Sequence, residues 1–409
     1  MRRRRWRALV VLALVAPLAA ACGSSGPSSG GARTTSSSTY TIGILTDVTG
    51  LAAATYATSE LGIKASFDAI NKAGGINGHK LQYVVGDTDS TPAGALSAAQ
   101  QLVQQDHAFA IIDLSSVFFG AAPWLLQQGV PVVGPGTDGP EWDEQSYTNL
   151  FNVAANKDMY AINSAWGHLV KANGGTVCGS VGASDVPSVT AAADVFVSSC
   201  KLAGLKGAPV NSTQPYGGTN MEPIALAFKN EGVNAIEMAA SPNTSYALLG
   251  DLKQLGVDLK IALLDVGYGS DTLANKQTVA AAQGIGFVVA EVPIEVPGPA
   301  TTKERQVLSA VGITVPTYAE AEAYISAAGL QAGLEKAGSG TVTRAKFMTA
   351  MRGITAFTAN GLLPGVAAIN FSQYDVRSTC VWAVKLIGDN FVPIPHIPYC
   401  STAAADVPH

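Results

Sequence analysis

Ser115 and Ser116 stand just past an apolar run, Phe109 to Asp113, and ahead of a helical stretch that ends near Gln128. Between the carboxyl end of a strand and a helix, two hydroxyls and their N–H groups form a grip for an anion. Helix capping is the plainer use of the same residues. A second wall follows in Gly134-Pro135-Gly136-Thr137-Asp138. Its glycines allow close backbone approach. The Gly136 carbonyl with Thr137 or Asp138 suits an ammonium group, and Asp138 would repel a carboxylate and favour a cation. Later apolar runs are followed by Ala183-Ser184-Asp185, by Ser241 with Asn243, and by Asp265 with Tyr268. Asp265 is placed as a counter-ion for an amine, although an acid at a strand end is as often a helix cap. Tyr56, Phe118, Phe119 and Trp142 are candidates for an apolar pocket floor, or for ordinary core.

Two other patterns lack the context their chemistry needs. Gly134, Gly136 and Gly139 spell GxGxxG, but Pro135 and Pro140 interrupt it and no helix follows directly. GPSSG at 26–30 fits the GxSxG elbow of serine hydrolases, yet it lies in a Gly/Ser-rich stretch with no strand before it. No nucleophile has a base nearby in sequence. The histidines are scattered and the cysteines show no C-x-x-C spacing, so neither a metal nor a cofactor is expected.

The elements that must position these residues alternate. Short β-branched runs and alanine-rich helical segments follow one another, the pattern of a parallel sheet covered by helices. Strands are expected over 41–46, 81–85, 109–113 and 130–133, with helices over 59–72, 93–105 and 121–128. A second series has strands over 176–181, 234–238 and 260–265 and helices over 161–171, 189–202, 221–230 and 246–255. A strand at 286–290, helices at 303–311, 318–336 and 344–352, and a strand at 380–386 exceed what two simple lobes need, so the chain is expected to recross between lobes.

The amino terminus reads as an export signal. Arg2, Arg3, Arg4, Arg5 and Arg7 precede an apolar run from Ala8 to Val15, and LAAAC ends at Cys22. The run falls short of the roughly 20 residues that a membrane span needs. A cysteine directly after small residues is a lipidation signature, with leucine at Leu18, one place earlier than usual. Residues 23–39 are a polar tether that buries too little apolar surface to order.

Without the five signal arginines, 20 basic residues face 30 acidic ones, about −10 for the mature body. That balance argues against nucleic acid as a partner. Outside the cytoplasm the four cysteines after Cys22 are expected to pair, Cys178 with Cys200 in one strand-helix unit and Cys380 with Cys400 in a C-terminal hairpin.

Ala73-Gly74-Gly75-Ile76-Asn77-Gly78, followed by His79-Lys80-Leu81, resembles the AGGINGRKI signature of the periplasmic solute-binding proteins of branched-chain amino acid ABC transporters. TIGILTDVTG at the opening strand, the Asp-rich turn at 87–92, Ser115-Ser116, VPVVGP at 130–135 and LFNVAANKD at 150–158 follow that family's order. The resemblance implies the type I fold: two α/β lobes with doubly wound parallel sheets, joined by three crossover strands. It implies lobe 1 over 40–154 and 286–357, and lobe 2 over 155–285 and 358–409. It also implies a solute carboxylate bound at Ser115-Ser116 and a small-molecule solute held in the inter-lobe cleft. Val186 and Pro187 stand where relatives often carry a tyrosine. The expected role is non-enzymatic: a monomeric, lipid-anchored receptor on the extracytoplasmic face of the membrane that hands an amino acid, amide or small organic acid to an inner-membrane ABC permease. A sensory receptor of the same fold is the alternative, and a secreted hydrolase or dehydrogenase the remote one.

Overall fold

The alternating runs resolve into two sheets of the same strand order. The structure, a computed structural model, describes residues 39–136, 138–154, 162–289, 291–364, 367–374 and 380–401. Cys22, nearly all of the tether and Thr137 lie outside them. In the first lobe β1 (Thr39–Thr46), β2 (Lys80–Asp87), β3 (Ala110–Leu114), β4 (Val132–Gly134) and β5 (Leu150–Asn152) form a parallel sheet in the order β2-β1-β3-β4-β5. In the second, β6 (Val177–Ser180), β7 (Lys206–Gly207), β8 (Ala235–Met238), β9 (Ile261–Leu264) and β10 (Gly286–Val289) repeat that order as β7-β6-β8-β9-β10. β11 (Cys380–Ile387) and β12 (Asn390–Pro393) extend this sheet antiparallel, and β13 (Tyr399–Cys400) pairs with the start of β11.

Order reverses beside the first strand of each lobe, at β1/β3 and at β6/β8. In open α/β sheets the crevice beyond the carboxyl ends at such a reversal is where ligands sit. The topology therefore aims two crevices, one per lobe, at the loops after β1, β3, β6 and β8.

Helix Tyr318–Ala337 is buried along most of its 20 residues because it lies between the first sheet and helix Ser59–Lys72. A capping box starts it: Thr317 Oγ1 accepts from Glu320 N, and Glu320 Oε2 accepts from Thr317 N at 2.9 Å. The two helices touch at Gly62, where a Cβ would lie 2.4 Å from the Glu320 carbonyl oxygen. Ile42, Ile112, Phe151, Ile325 and Phe347 anchor the first core, and Ile236, Leu264, Phe287 and Trp382 the second. Ala52, Tyr56, Tyr318 and Ala319 come from first-lobe elements yet belong to the second cluster, so the lobes share a packed seam.

The chain passes between sheets three times: after β5, after β10 and before β11. Two boundaries differ from the sequence reading. β10 stays in the second sheet, since Gly286 and Phe287 continue the parallel ladder beside β9. Residues 357–364 and 367–371 stay with the first core, because Phe371 meets Phe151 with ring centroids 6.1 Å apart and Phe357 at 5.2 Å. The cysteines pair as expected, Cys178 with Cys200 at 2.07 Å and Cys380 with Cys400 at 2.16 Å. Among the described residues no helix is long and apolar enough to cross a membrane.

Candidate functional site

Beyond the carboxyl ends of β1 and β3 the first wall is closed by the protein's own carboxylate. Asp47 follows β1, is fully buried, and accepts from Ser115 Oγ at 2.6 Å, Ser116 N at 2.8 Å and Ser116 Oγ at 2.8 Å. Thr88 Oγ1 donates to the same group. The Ser115-Ser116 turn is thus an anion grip, as its residue types predict, and its anion is internal. The sequence reading missed this because Asp47 is 68 residues from Ser115 and only the β1/β3 pairing brings them together.

The second wall also turns inward. Asp138 is buried, its Oδ2 accepting from Phe119 N at 3.0 Å and its Oδ1 from Trp142 Nε1 at 2.7 Å. Trp142 packs on Phe118, ring centroids 5.2 Å apart, in a core cluster of the first lobe rather than on a pocket floor. Gly136 has φ +66°, and a Cβ there would lie 2.3 Å from Asn152 Nδ2, so glycine is required for the turn itself.

These acids sit close together. Burial, then the charges of Asp138 and Asp47, holds the Asp113 carboxyl well above its usual range; burial and the Glu141 charge do the same for Asp138. Burial pushes Glu141 up to about 7. Among the described residues no group of three or more such side chains is arranged to hold a metal ion.

The Glu141 shift gives a pH dependence with a definite sign. The unfolded chain releases this proton near the ordinary value of 4.5, the folded one near 7. The native state binds more protons in that window, so the stabilisation is complete at low pH and is lost as pH rises through about 7. Urea midpoints should fall between pH 5 and pH 7.5. Glu141→Gln should shrink that fall, with the remainder due to the other acids that burial holds above their usual range, Asp113, Asp138, Asp271, Glu295, Glu304 and Glu320 among them; an unchanged fall would remove Glu141 as its source.

A cavity of about 30 Å³ lies on the seam between the lobes. The first lobe contributes Tyr56, Ser116 and Tyr318; the second contributes Val186, Ser188 and Val189 after β6, Ala239 after β8, and Asp265 with Val266 after β9. Tyr216 completes it, from a loop that sequence reading passed over. Asp185, expected in the lining, is exposed and instead accepts from Tyr216 N at 2.7 Å, which pins that loop. The aromatic ring on this side of the cavity thus comes from Tyr216, beside Val186. Burial pushes the Tyr216 phenol up to about 12, and burial with the Glu322 charge holds Tyr318 well above its usual range.

Of the residues proposed from sequence, Tyr56, Ser116 and Asp265 meet in the cavity. Ser115 lies behind Ser116 on Asp47. Ser241 caps helix Pro242–Gln254, accepting from Thr244 N at 3.3 Å. Tyr268 points away to the second crossing, donating to Glu295 Oε1 at 2.9 Å and packing on Phe391. Tyr318 was unreadable as a cavity residue because it opens a helix whose other residues are core.

Two lobes of one topology, with a cavity lined by both at their strand ends, define a class of two-lobed binding proteins. The chain belongs to the periplasmic binding protein family, whose model matches residues 39–389. A Leu/Ile/Val-binding protein, BraC3 of Rhizobium johnstonii, is 26% identical over 306 residues, 73% of this chain and 80% of that protein. Leu/Ile/Val-binding protein homolog 1 of Brucella abortus is 31% identical over 119 residues, 29% of this chain. That match spans about a third, 32%, of the Brucella relative's length.

Solved structures are similar throughout. The leucine binding protein LivK of Thermotoga maritima has a TM-score of 0.71 at 18% identity, covering 87% of this chain and 97% of that one. A fatty acid ABC transporter substrate-binding protein from Thermomonospora curvata has a TM-score of 0.72 at 19% identity over 90% of this chain and 94% of its own. A solute binding protein from R. palustris in complex with benzoate has a TM-score of 0.71 at 16% identity, over 90% and 98% of the two chains. At these identities the likeness establishes the type I periplasmic-binding fold. The protein is thus a periplasmic binding protein of the type I fold.

Proposed function

We propose that this protein is a lipid-anchored extracytoplasmic receptor that captures a small solute by closing its lobes and delivers it to an inner-membrane ABC permease. The observation that carries the reading is a cavity built from both lobes at the carboxyl ends of their strands. Only contacts made to both faces at once favour the closed state over the open one, and that differential affinity drives closure. At about 30 Å³ the cavity has room for about two waters, so a solute must be admitted by parting of the lobes. The protein itself performs no chemistry on the solute. Cys22 carries the anchor that holds the body at the bilayer.

Calorimetry with amino acids, amides, amines and small organic acids, paired with small-angle scattering, tests this. A bound solute should lower the radius of gyration. Saturating binding with no compaction would remove the closure step, and no binding by any class would remove the receptor reading.

A further inference from the structure

We propose that the solute is a small organic cation, an alkylammonium or quaternary ammonium without a carboxylate. The inference rests on the reading of the cleft as a solute site and names its ligand class.

The first ground is the anion grip. The donors that would take a solute carboxylate, the Ser115 hydroxyl and the Ser116 hydroxyl and amide, converge on Asp47, with all three distances between 2.6 and 2.8 Å. A solute carboxylate approaching Ser116 would meet a buried negative charge in place of free donors, a like-charge contact that strengthens as water is excluded. The next donors along the wall, Phe119 N and Trp142 Nε1, are held by Asp138 in the same manner.

The second ground is the lining. Three tyrosine rings, Tyr56, Tyr216 and Tyr318, surround the cavity, the first and last edge to face with centroids 6.1 Å apart. Aromatic faces attract ammonium groups through the ring quadrupole, and several rings around one small space make a cage for them. Asp265 supplies a formal counter-charge on the opposite lobe. Among the described residues that line the cavity none is Lys, Arg or His. Val186, Val189 and Val266 offer apolar surface suited to the alkyl groups of such a cation. The cation would touch Tyr56 and Tyr318 on one lobe and Tyr216 and Asp265 on the other, the two-sided contact that lobe closure needs.

Calorimetry on the soluble mature protein, using choline, tetramethylammonium and butylammonium beside leucine, benzoate and 3,3-dimethylbutan-1-ol, reads the class directly. The last is the neutral isostere of choline. A cation should bind about tenfold or more tightly than leucine, benzoate and the neutral isostere, since each of these lacks net positive charge for the rings and Asp265. Asp265→Asn should weaken the cation about tenfold and leave the isostere unchanged. Should that variant lose its native circular dichroism, Tyr216→Leu tests the ring contribution with the same expected loss. Leucine or benzoate binding more tightly than every cation would overturn the ligand class while leaving the receptor reading intact. Equal affinity for choline and its isostere would overturn it as well. Silence from all six probes, without compaction in scattering, would overturn both.

Discussion

Asp47→Ala is expected to destabilise the fold by about 4 kcal/mol, near the top of the range for removing one member of a buried charged network. The carboxylate is completely buried and takes bonds from Thr88, Ser115 and Ser116, residues that end or follow β2 and β3 on either side of β1. It is therefore the knot that ties three strand-end loops together where the sheet order reverses. Alanine removes every acceptor while the Ser116 N–H and the three hydroxyls remain without a replacement. Asp47→Asn keeps one acceptor but turns an amide N–H₂ toward groups that donate, and should cost about half as much. Ser116→Ala, which removes a single hydroxyl donor, should cost about 1 kcal/mol. Urea unfolding of the three variants at one pH orders them. An Asp47→Ala variant within 1 kcal/mol of the parent would mean that the loops hold one another without the carboxylate.

The same residue shows what sequence reading reaches and where it stops. The β-α alternation is local: strand 110–114 and helix 59–72 are written in their own residues, and so both sheets and the order of most elements were legible. The disulfides were legible too, because each links residues about 20 apart within one supersecondary unit. Ser115-Ser116 was readable as an anion grip beside its plainer use as a helix cap, since its hydroxyls and N–H groups fall between strand and helix. Its occupant was not, for Asp47 reaches it only after β1 is threaded between β2 and β3. Tyr216 and Tyr318 were missed for a related reason. A tyrosine in a glycine-rich loop and one at the head of a core helix carry no mark of the cavity that two lobes make between them. Asp138, offered by the sequence as a partner for an ammonium group, is satisfied by Phe119 and Trp142, partners that a linear scan treats as core. The β10 boundary slipped because a buried apolar strand reads alike in either sheet, and only its ladder with β9 decides.

Arg352→Ala should cost about 4 kcal/mol, and Arg352→Lys should recover less than half of it. The guanidinium closes helix Arg344–Arg352 and reaches two separate segments. Its Nη2 donates to the carbonyls of Thr148 and Leu150, at 3.1 and 2.9 Å, where β5 begins; its Nη1 donates to Phe371 O at 3.0 Å, shortly before the third crossing to the second lobe. The plane lies over Phe151 at 4.5 Å and Tyr374 at 3.9 Å. One side chain thus fastens the first-lobe ends of the first and third crossings to each other. Alanine would strip four carbonyls, those of Thr148, Leu150, Phe371 and Gln373, of a charged donor and open a slot between two rings. Lysine restores the charge but not the planar fork, so it can serve one segment and cannot fill the slot between the rings. The effect should also be local in kind. Because the fastened strands lead into the crossings, hydrogen exchange in the Ala variant should rise at Leu150, Phe151 and Phe371 and stay unchanged in β8 and β9, which belong to the second core. Recovery of full stability by lysine would show that charge alone holds the crossings, and protection lost equally in both lobes would show that Arg352 supports the whole fold rather than the hinge region.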